Sequence, residues 1–330
     1  MREFTMKQIT VIGSLNYDLV TYTDIVPEGG ETVQANAFEN HLGGKGLNES
    51  IAVARLSKDT EVRMIGNVGN DSFGKELKQA LIDAKVDTSY IKTIEGISSG
   101  VAVILVEKSG ENRILITAGA NGELKPSVED YETYFEQDTG FVLLQNEYPH
   151  TIESINWLKS NRPSINISYN PSPFKPEYIK SEVLSKIDLL IVNETEALDV
   201  AGSLLSAEEA DKFKTRTDES EMNGFKELSE KLVKLINQDN INLVIITMGS
   251  KGCLYSSKST GTAFQASEKV KNVVDTTGAG DTFFGGVVSQ LSNGSTIPEA
   301  VKFATKASSL VIQKKGAVES IPFAEDVEKL

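Results

Sequence analysis

The sequence has very few of the residues that form disulfides and zinc sites. Its 330 residues include one cysteine, Cys253, and two histidines, His41 and His150. A single cysteine excludes an intrachain disulfide, and so few His and Cys ligands argue against a zinc site. Cys253 lies in the strand-like stretch GCLY, which predicts a small buried residue rather than a nucleophile. The scarcity of cysteine also indicates a reducing compartment, so we expect a cytoplasmic location, with the nucleus as an alternative.

Positive charge and long apolar runs are also scarce. The chain has 33 Lys and Arg against 47 Asp and Glu, a formal net charge of −14. This balance argues against a nucleic-acid partner, which would need a basic surface, but it permits one focused site for a small anion. No apolar run approaches the roughly 18 residues that span a bilayer, so no membrane partner is expected. The charged first residues, MREFTMKQ, run directly into a strand-like segment and predict no signal peptide.

The two common phosphate-binding loops are absent from the sequence. The P-loop pattern G-x-x-x-x-G-K-S/T does not occur. The first apolar run ends in GSLNYD, which has one glycine where a dinucleotide fingerprint needs three. The glycine-rich stretch DTTGAGDTFFGG at 275–286 would need its third glycine where Phe283 stands. Both loops are therefore excluded, which disfavours a dehydrogenase.

Short apolar runs alternate with helical patterns along the chain. The runs lie at 8–15, 62–69, 141–147, 165–172, 188–194 and 241–249. One helical segment lies at 225–238, where a single apolar face is formed by Phe225, Leu228, Leu232 and Leu235. Buried strands alternating with helices predict an α/β fold with a mostly parallel sheet covered on both faces. Ligands of such sheets bind at the carboxyl ends of the strands.

Three segments depart from this alternation. Residues 15–44 and 99–120 have the pattern of antiparallel strands, and the second contains the hairpin connection EKSGEN. We predict that the two stretches pair into a small sheet covering the main cleft, with ordinary edge decoration as the alternative. Residues 203–223 are polar and rich in charge, which predicts a partly helical surface insertion. The whole chain, 1–330, is predicted to be one domain.

A glycine-rich loop precedes a helical pattern near the carboxyl end. In DTTGAGD, Gly278, Ala279 and Gly280 stand where free amides and the helix dipole favour an anion. Asp281 falls in the first turn of that helix. Its ordinary interpretation is an N-cap, which stabilises a helix by about 1 kcal/mol. Gly-Ala-Gly, however, offers more close-approach backbone than a cap requires.

Polar residues suited to hydroxyl groups follow other predicted strands. Asn16 and Asp18 come after the first strand, and Glu147 follows LLQN. Lys45 and Asn48 lie in GGKGLNES, directly before a helical pattern. Such side chains donate to and accept from vicinal hydroxyls, as on a sugar. An Asx turn and a solvated lysine in a glycine turn are the ordinary alternatives.

Another set of residues suits a nucleotide and its metal ion. Asn193 and Glu196 stand three residues apart in VNETEA, where a strand becomes a helix. This pair is typical either of a capping box or of a site that binds hydrated Mg²⁺. The stretch TMGSKG at 247–252 turns through two glycines, which would let its backbone lie close to a nucleotide. Each motif has an ordinary explanation, but all lie at predicted carboxyl ends of strands, and this coincidence favours a ligand site.

The motifs GGKGLN, NETE, TMGSKG and DTTGAGD, in this order, resemble the ribokinase branch of the PfkB carbohydrate kinase family. GSLNYD, GNVGNDSFG, YNPSP and KKGAVESIP extend the resemblance over nearly the whole chain and are most similar to fungal members. The resemblance implies a three-layer α/β/α domain with a β-sheet lid, and ATP-dependent phosphorylation of the 5-hydroxyl of D-ribose. Another kinase of the family, such as a fructokinase or adenosine kinase, is one alternative, and a non-catalytic sugar or nucleotide sensor is a second.

The resemblance also implies a role for each matching position. The sugar would be held by Asn16, Asp18, Gly44, Lys45, Asn48, Glu147 and Asp281. The nucleotide site would be formed by Asn193, Thr247, Gly249, Ser250, Gly252, Gly280 and Thr305. Asp281 would act as the base, and an anion hole would be formed by the amides of Gly278, Ala279 and Gly280.

Two cations and a homodimer follow from the same resemblance. Mg²⁺ would lie near Glu196 and be held through water. K⁺ would be bound largely by backbone oxygens of Asp275, Thr277, Val311, Lys314, Gly316 and Ser320. The lids of such kinases often pair, so a homodimer through the lid is expected. One departure lies near the sugar, because Glu49 stands where the family usually has Gln.

Overall fold

A nine-stranded sheet lies at the centre of the computed structural model, which describes residues 8–58, 60–135, 139–214 and 218–330. With strands numbered in chain order, the sheet contains, from one edge to the other, β13 (Gly261–Ala266), β12 (Gly252–Ser257), β11 (Leu243–Thr247), β10 (Leu189–Asn193), β9 (Asn166–Tyr169), β8 (Thr139–Leu144), β1 (Gln8–Ile12), β4 (Val62–Gly69) and β5 (Asp87–Ile94). The strands from β11 to β5 are parallel to their neighbours, and β12 and β13 extend the sheet in antiparallel fashion. The predicted mostly parallel sheet is confirmed.

Successive residues of the central strands face two different hydrophobic cores. Ile9 and Val11 of β1 lie in one core and Ile12 in the other, as the alternation of side chains along a strand requires. The first core is completed by α1 (Lys45–Leu56), α2 (Ser72–Asp83), α9 (Ala279–Ser292), α10 (Ile297–Val311) and α11 (Ala324–Glu328). The second is completed by α3 (Val128–Tyr134), α4 (Thr151–Asn161), α5 (Ser181–Leu184), α6 (Glu194–Leu204) and α8 (Asp218–Leu235). Helices on both faces make three layers, α/β/α.

A second, four-stranded sheet has the order β3 (Ala37–Gly43), β2 (Asn16–Thr23), β6 (Gly100–Glu107) and β7 (Asn112–Thr117). The predicted antiparallel pairs β2–β3 and β6–β7 are joined through a parallel pairing of β2 with β6. We call this the lid sheet, after its predicted role. It is attached to the main domain where Tyr17 stacks on Phe73 of α2, with ring centroids 4.2 Å apart. Lys315, near the carboxyl end, also donates to Glu39 of β3 at 2.8 Å.

The segment predicted as a surface insertion, 203–223, covers several helical pieces. It includes the end of α6, the helix α7 (Ala207–Lys214) and the first turns of α8, while residues 215–217 lie outside the described part. The predicted apolar face of α8 is buried at Phe225, Leu228 and Leu232, and Leu235 is half-buried at the helix end. Within the described ranges, no helix combines the length and apolar character that crossing a membrane requires.

Candidate active site

The predicted site residues gather where the strand order of the main sheet reverses. After β1 the chain continues through β4 and β5 on one side, whereas β8 and the strands after it extend the sheet on the other. A ligand crevice forms at such a switch point, outside the carboxyl ends of the strands. The ends of β1 and β8 meet there with the amino ends of α1 and α9. One helix amino terminus contributes the GGK motif and the other the GAGD motif.

Asp281 does not cap the helix in which it lies. Gly278 is the N-cap of α9, in a left-handed conformation with φ of 76°, and no side chain caps this end. Asp281 Oδ2 instead accepts a hydrogen bond from Asn48 Nδ2 at 2.8 Å. Asp281 Oδ1 lies 3.6 Å from Lys45 Nζ. The capping interpretation is therefore wrong for this residue, whose carboxylate connects the two glycine-rich motifs.

Lys45 is not the solvated lysine of an ordinary glycine turn. Its side chain is mostly buried and lies 3.6 Å from Asp281, within the electrostatic influence of Glu147. Burial disfavours the ammonium charge, but the Asp281 and Glu147 carboxylates outweigh that effect and raise the pKa of Lys45 above its ordinary value. The residue before it, Gly44, has φ of 91°, and a Cβ there would lie 2.7 Å from the backbone nitrogen of Asn16. Glycine thus lets the start of α1 lie directly against the start of β2.

Glu147 joins the end of β8 to this junction. Its Oε2 accepts a hydrogen bond from the backbone N–H of Lys45 at 3.0 Å and another from the Ser14 hydroxyl. Asn16, buried at the start of β2, accepts from Asn121 Nδ2 at 2.9 Å. The side chains predicted to hold a sugar are therefore oriented by neighbours from several elements.

Asp18 and Asn48 are two polar residues with unusual surroundings. Burial, reinforced by the nearby Glu147 carboxylate, raises the pKa of Asp18 to about 7. Asn48 is buried, and in the described part of the chain its Oδ1 has no hydrogen-bond partner. Buried polar atoms without partners are uncommon in proteins, and at a cleft they indicate a place where a ligand completes the network.

Asn193 and Glu196 form the capping box that the sequence offered as the structural alternative. The Asn193 side chain accepts from the Glu196 backbone N–H at 2.8 Å, and Glu196 Oε2 accepts from the Asn193 backbone N–H at 3.0 Å. Both residues also line a cavity of about 90 Å³. The same cavity is also lined by Lys45, Glu49, Asn170, Thr247, Gly280 and Asp281. Capping and a position facing a ligand are thus compatible at α6.

The other residues assigned to the nucleotide lie further from this cavity. Gly249 and Ser250 form a short 3₁₀ turn between β11 and β12, and Gly252 begins β12. Thr305 is buried on α10, where its hydroxyl donates to the Val301 carbonyl at 2.8 Å. Cys253 is buried in β12 as predicted, and burial raises the pKa of its thiol to about 12.

Asp275 connects the GAGD loop to the carboxyl-terminal segment. Its Oδ1 accepts from the Thr277 hydroxyl at 2.7 Å and from the Thr277 backbone N–H at 2.9 Å. Its Oδ2 accepts from the Gly316 N–H at 3.0 Å. Burial acts against its charge, but these hydrogen bonds hold the pKa of Asp275 below its ordinary value. The remaining residues assigned to K⁺ flank Gly316: Val311 ends α10, Lys314 follows it, and Ser320 is fully buried.

Four residues of this site were not singled out from the sequence. Ser14 and Gln145 follow β1 and β8, Asn121 supports β2, and Asn170 follows β9 and lines the cavity. Each stands within a motif that is visible in the sequence: GSLNYD, LLQN, AGAN or YNPSP. For Ser14, Gln145 and Asn170, the position after a strand of the main sheet is the signal that could have identified them, whereas Asn121 follows β7 of the lid sheet and has no such signal.

Comparisons with known proteins show the family to which the chain belongs. A family model described as pfkB family carbohydrate kinase matches residues 6–324. A ribokinase of Schizosaccharomyces pombe is 36% identical over 330 residues, which cover 98% of this chain and 97% of that protein. The crystal structure of a ribokinase from Cryptococcus neoformans with ADP has a TM-score of 0.84 at 29% identity, covering 98% of this chain and 99% of that one. An Arabidopsis thaliana ribokinase complexed with ribose and ATP has a TM-score of 0.83 at 30% identity, with 98% of each chain covered. The chain therefore belongs to the pfkB family of carbohydrate kinases, in its ribokinase branch.

Proposed function

We propose that the protein transfers the γ-phosphoryl group of ATP to the 5-hydroxyl of D-ribose, giving D-ribose 5-phosphate and ADP. The observation that carries this proposal is the position of Asp281. Its carboxylate lies between the cluster suited to a sugar and the cavity beside the amino terminus of α9. The ribokinase relatives support the choice of sugar and nucleotide.

The sugar end of the site would recognise hydroxyl groups. Asp18 and Glu147 supply acceptors, Lys45 supplies a donor, and the unpartnered Oδ1 of Asn48 supplies a further acceptor. Asn16 and the backbone of Gly44 lie beside them at the start of β2 and α1. Polar groups buried in this way discriminate strongly, because a sugar lacking the matching hydroxyl would leave them unpaired.

Asp281 would orient the 5-hydroxyl and accept its proton. A carboxylate is a weak base at neutral pH, but the attacking oxygen becomes acidic as its bond to phosphorus forms. Asn48 and Lys45 fix the carboxylate at 2.8 and 3.6 Å. The lid sheet would exclude competing water while the sugar is bound.

The amides of Gly278, Ala279 and Gly280 would face the transferred phosphoryl group. An amino-terminal helix turn offers free N–H groups and a positive dipole end. In this conformation the Ala279 N–H donates to the Thr276 carbonyl at 3.2 Å. Gly278 and Gly280 are therefore the more available donors, and Ala279 would share its N–H.

Two cations would assist. Across the described residues, no three acidic, His or Cys side chains come together as a direct metal cage. Mg²⁺ bound near Glu196 would therefore keep most of its water, and would neutralise charge on the phosphates. K⁺ would be bound by oxygens of Asp275, Thr277 and the segment from Val311 to Ser320, and the hydrogen bond from the Gly316 N–H to Asp275 Oδ2 supports this placement by joining the two segments. By holding Asp275 and Gly316 together, K⁺ would fix the loop that carries the amides of Gly278, Ala279 and Gly280.

The nucleotide would lie along Asn193 and Thr247 toward the turn at Gly249, Ser250 and Gly252, with Thr305 on the side of the adenine. Asn193 and Thr247 are direct neighbours across β10 and β11. A cytoplasmic location and a homodimer through the lid sheet complete the proposal.

An ADP-release assay over a panel of sugars and nucleosides tests the function. We expect turnover on D-ribose that requires a divalent metal and is stimulated by K⁺ relative to Na⁺. Turnover confined to fructose or adenosine would contradict the substrate, and ribose binding without ADP release would indicate a sensor.

A further inference from the structure

Glu49 is a fully buried carboxyl group that the proposed chemistry does not use. It lies one turn after Lys45 on α1, has no exposed surface, and lines the cavity shared by Asp281 and Glu196. Its Oε2 accepts a hydrogen bond from Nε2 of Gln145, which follows β8. Burying an ionised carboxyl group is costly unless it is paired. The charge state of Glu49, next to the proposed catalytic centre, therefore has to be explained.

Two oxygen atoms of this contact stand out for lacking a hydrogen-bond partner among the described residues. In the part of the chain that the structure describes, neither Glu49 Oε1 nor Gln145 Oε1 receives a hydrogen bond. Both atoms are acceptors if Glu49 is ionised, so neither can satisfy the other. A single proton on the carboxyl changes this, because a carboxylic acid and an amide can exchange two hydrogen bonds, one N–H to O and one O–H to O.

The charges around Glu49 also disfavour its ionised form. Asp281 on α9, Glu147 after β8 and Glu196 at the start of α6 are all acidic, and Lys45 is the only cation among the described residues lining the cavity. Lys45 already pairs with Asp281. Burial first, and then the Asp281 carboxylate, raises the pKa of Glu49 well above its ordinary value.

We propose that Glu49 is held as a neutral carboxylic acid, whose proton bonds its Oε1 to Gln145 Oε1, and that this acid–amide pair is a positioning element for Asp281. The neutral acid leaves Lys45 and Asn48 free to hold the Asp281 carboxylate. An ionised Glu49 would compete with Asp281 for Lys45 and place a second negative charge beside the phosphoryl group. This role rests on the proposed function for its kinetic consequence, but not for the protonation state.

The protonation state is tested without any activity measurement. At neutral pH, the infrared difference spectrum between the wild type and Glu49→Gln should contain the C=O band of a protonated carboxylic acid.

Thermal unfolding gives a second readout of the protonation state of Glu49. An unfolded chain releases this proton near 4.5, the ordinary value, whereas the folded chain keeps it to higher pH. The folded state then binds more protons, so this group's contribution to stability falls as pH rises. The Tm of Glu49→Gln should therefore increase relative to the Tm of the wild type as the pH rises.

The positioning role is tested by pH–rate profiles for ribose phosphorylation. As the pH rises through the pKa of Glu49, kcat of the wild type should fall toward a lower plateau, because the Asp281 carboxylate is then less well held by Lys45. In Glu49→Gln this alkaline limb should move to higher pH, because the raised pKa of Lys45 places its deprotonation further in the alkaline range. Asp188→Asn is the matched control, since Asp188 is a buried acid with a raised pKa away from the cavity. It should alter stability without changing the shape of the rate profile.

The infrared, thermal and kinetic experiments can each overturn one part of the proposal. Only a carboxylate band in the infrared spectrum, or a constant Tm difference across pH, would overturn the neutral acid. A pH-dependent Tm difference with superimposable rate profiles would overturn the positioning role. A wild type inactive on ribose would contradict the proposed function, while the infrared and thermal arms would still decide the charge of Glu49.

Discussion

Asp281 and Asn193 had the same ordinary interpretation, because each stands at the start of a helix after a strand or glycine turn. The structure separates them. Asn193 caps α6 through its side chain, whereas α9 is capped by the backbone of Gly278 and Asp281 is directed to Asn48 and Lys45. Spacing could not distinguish the cases, since a capping residue and a carboxylate directed into a site at a helix start have similar local sequences. Asp281 is directed into the site by Lys45 and Asn48 of α1, which lie more than 200 residues earlier in the chain.

Asp281→Asn removes the proposed base while keeping the size of the side chain. We expect kcat for ribose phosphorylation to fall by about 10²–10⁴-fold, the usual contribution of a positioned acid or base. Ribose affinity, measured by calorimetry, and Tm should change little, because the amide can still accept from Asn48. Turnover close to that of the wild type would contradict the assignment of Asp281.

Among the elements, the buried strands were predictable and the edge strands were not. The apolar run at 62–69 coincides with β4, because every residue of that strand is buried. β5 and β13 were missed. β5 carries polar residues at most of its exposed and half-exposed positions, and β13 mixes small, polar and aromatic residues, so neither forms an apolar run. The lid sheet was predicted as two pairs, but the parallel contact between β2 and β6 joins segments about 80 residues apart in sequence, and a local pattern carries no signal for it.

The two glycines at the start of α9 have different structural needs, which gives a matched test of the anion hole. Gly278 has a left-handed φ of 76°, and a Cβ there would lie 2.9 Å from Ala317 Cβ. Gly280→Ala would meet nothing within 4 Å, and Gly280 lines the cavity. We expect Gly278→Ala to lower the free energy of unfolding by about 1–3 kcal/mol. Gly280→Ala should leave stability unchanged and raise the KM for ATP, because its methyl group occupies ligand space.

Denaturant unfolding and ATP kinetics, measured on both variants, separate a loss of stability from a loss of ATP binding. Equal loss of stability in Gly278→Ala and Gly280→Ala would show that the loop is merely crowded. Unchanged ATP kinetics in Gly280→Ala would contradict the location of the phosphates beside this residue.

At the scale of the whole molecule, the lid sheet leaves several large apolar side chains exposed, on both of its faces. Ile114, Leu115 and Ile116 of β7 are 50%, 71% and 59% exposed, and Phe38 of β3 is 61% exposed. A group of exposed large apolar side chains on one small sheet is typical of an interaction surface. The two edge strands also have free backbone groups, which a second sheet could cover. A second copy of the lid sheet is the partner that the proposed homodimer supplies.

Leu115→Glu tests this assembly because it places a charge on the most exposed apolar residue of β7. We expect the wild type to be a dimer by sedimentation equilibrium at micromolar concentration, and Leu115→Glu to shift toward the monomer. Val128→Glu is the matched control, since Val128 is 59% exposed at the start of α3, away from the lid sheet. Because the lid strands also carry Asn16 and Asp18, loss of the dimer should raise the KM for ribose more than it changes kcat. A wild type that remains monomeric, or a Leu115→Glu variant that remains dimeric, would place the interface elsewhere and leave the exposed apolar side chains of the lid sheet without this function.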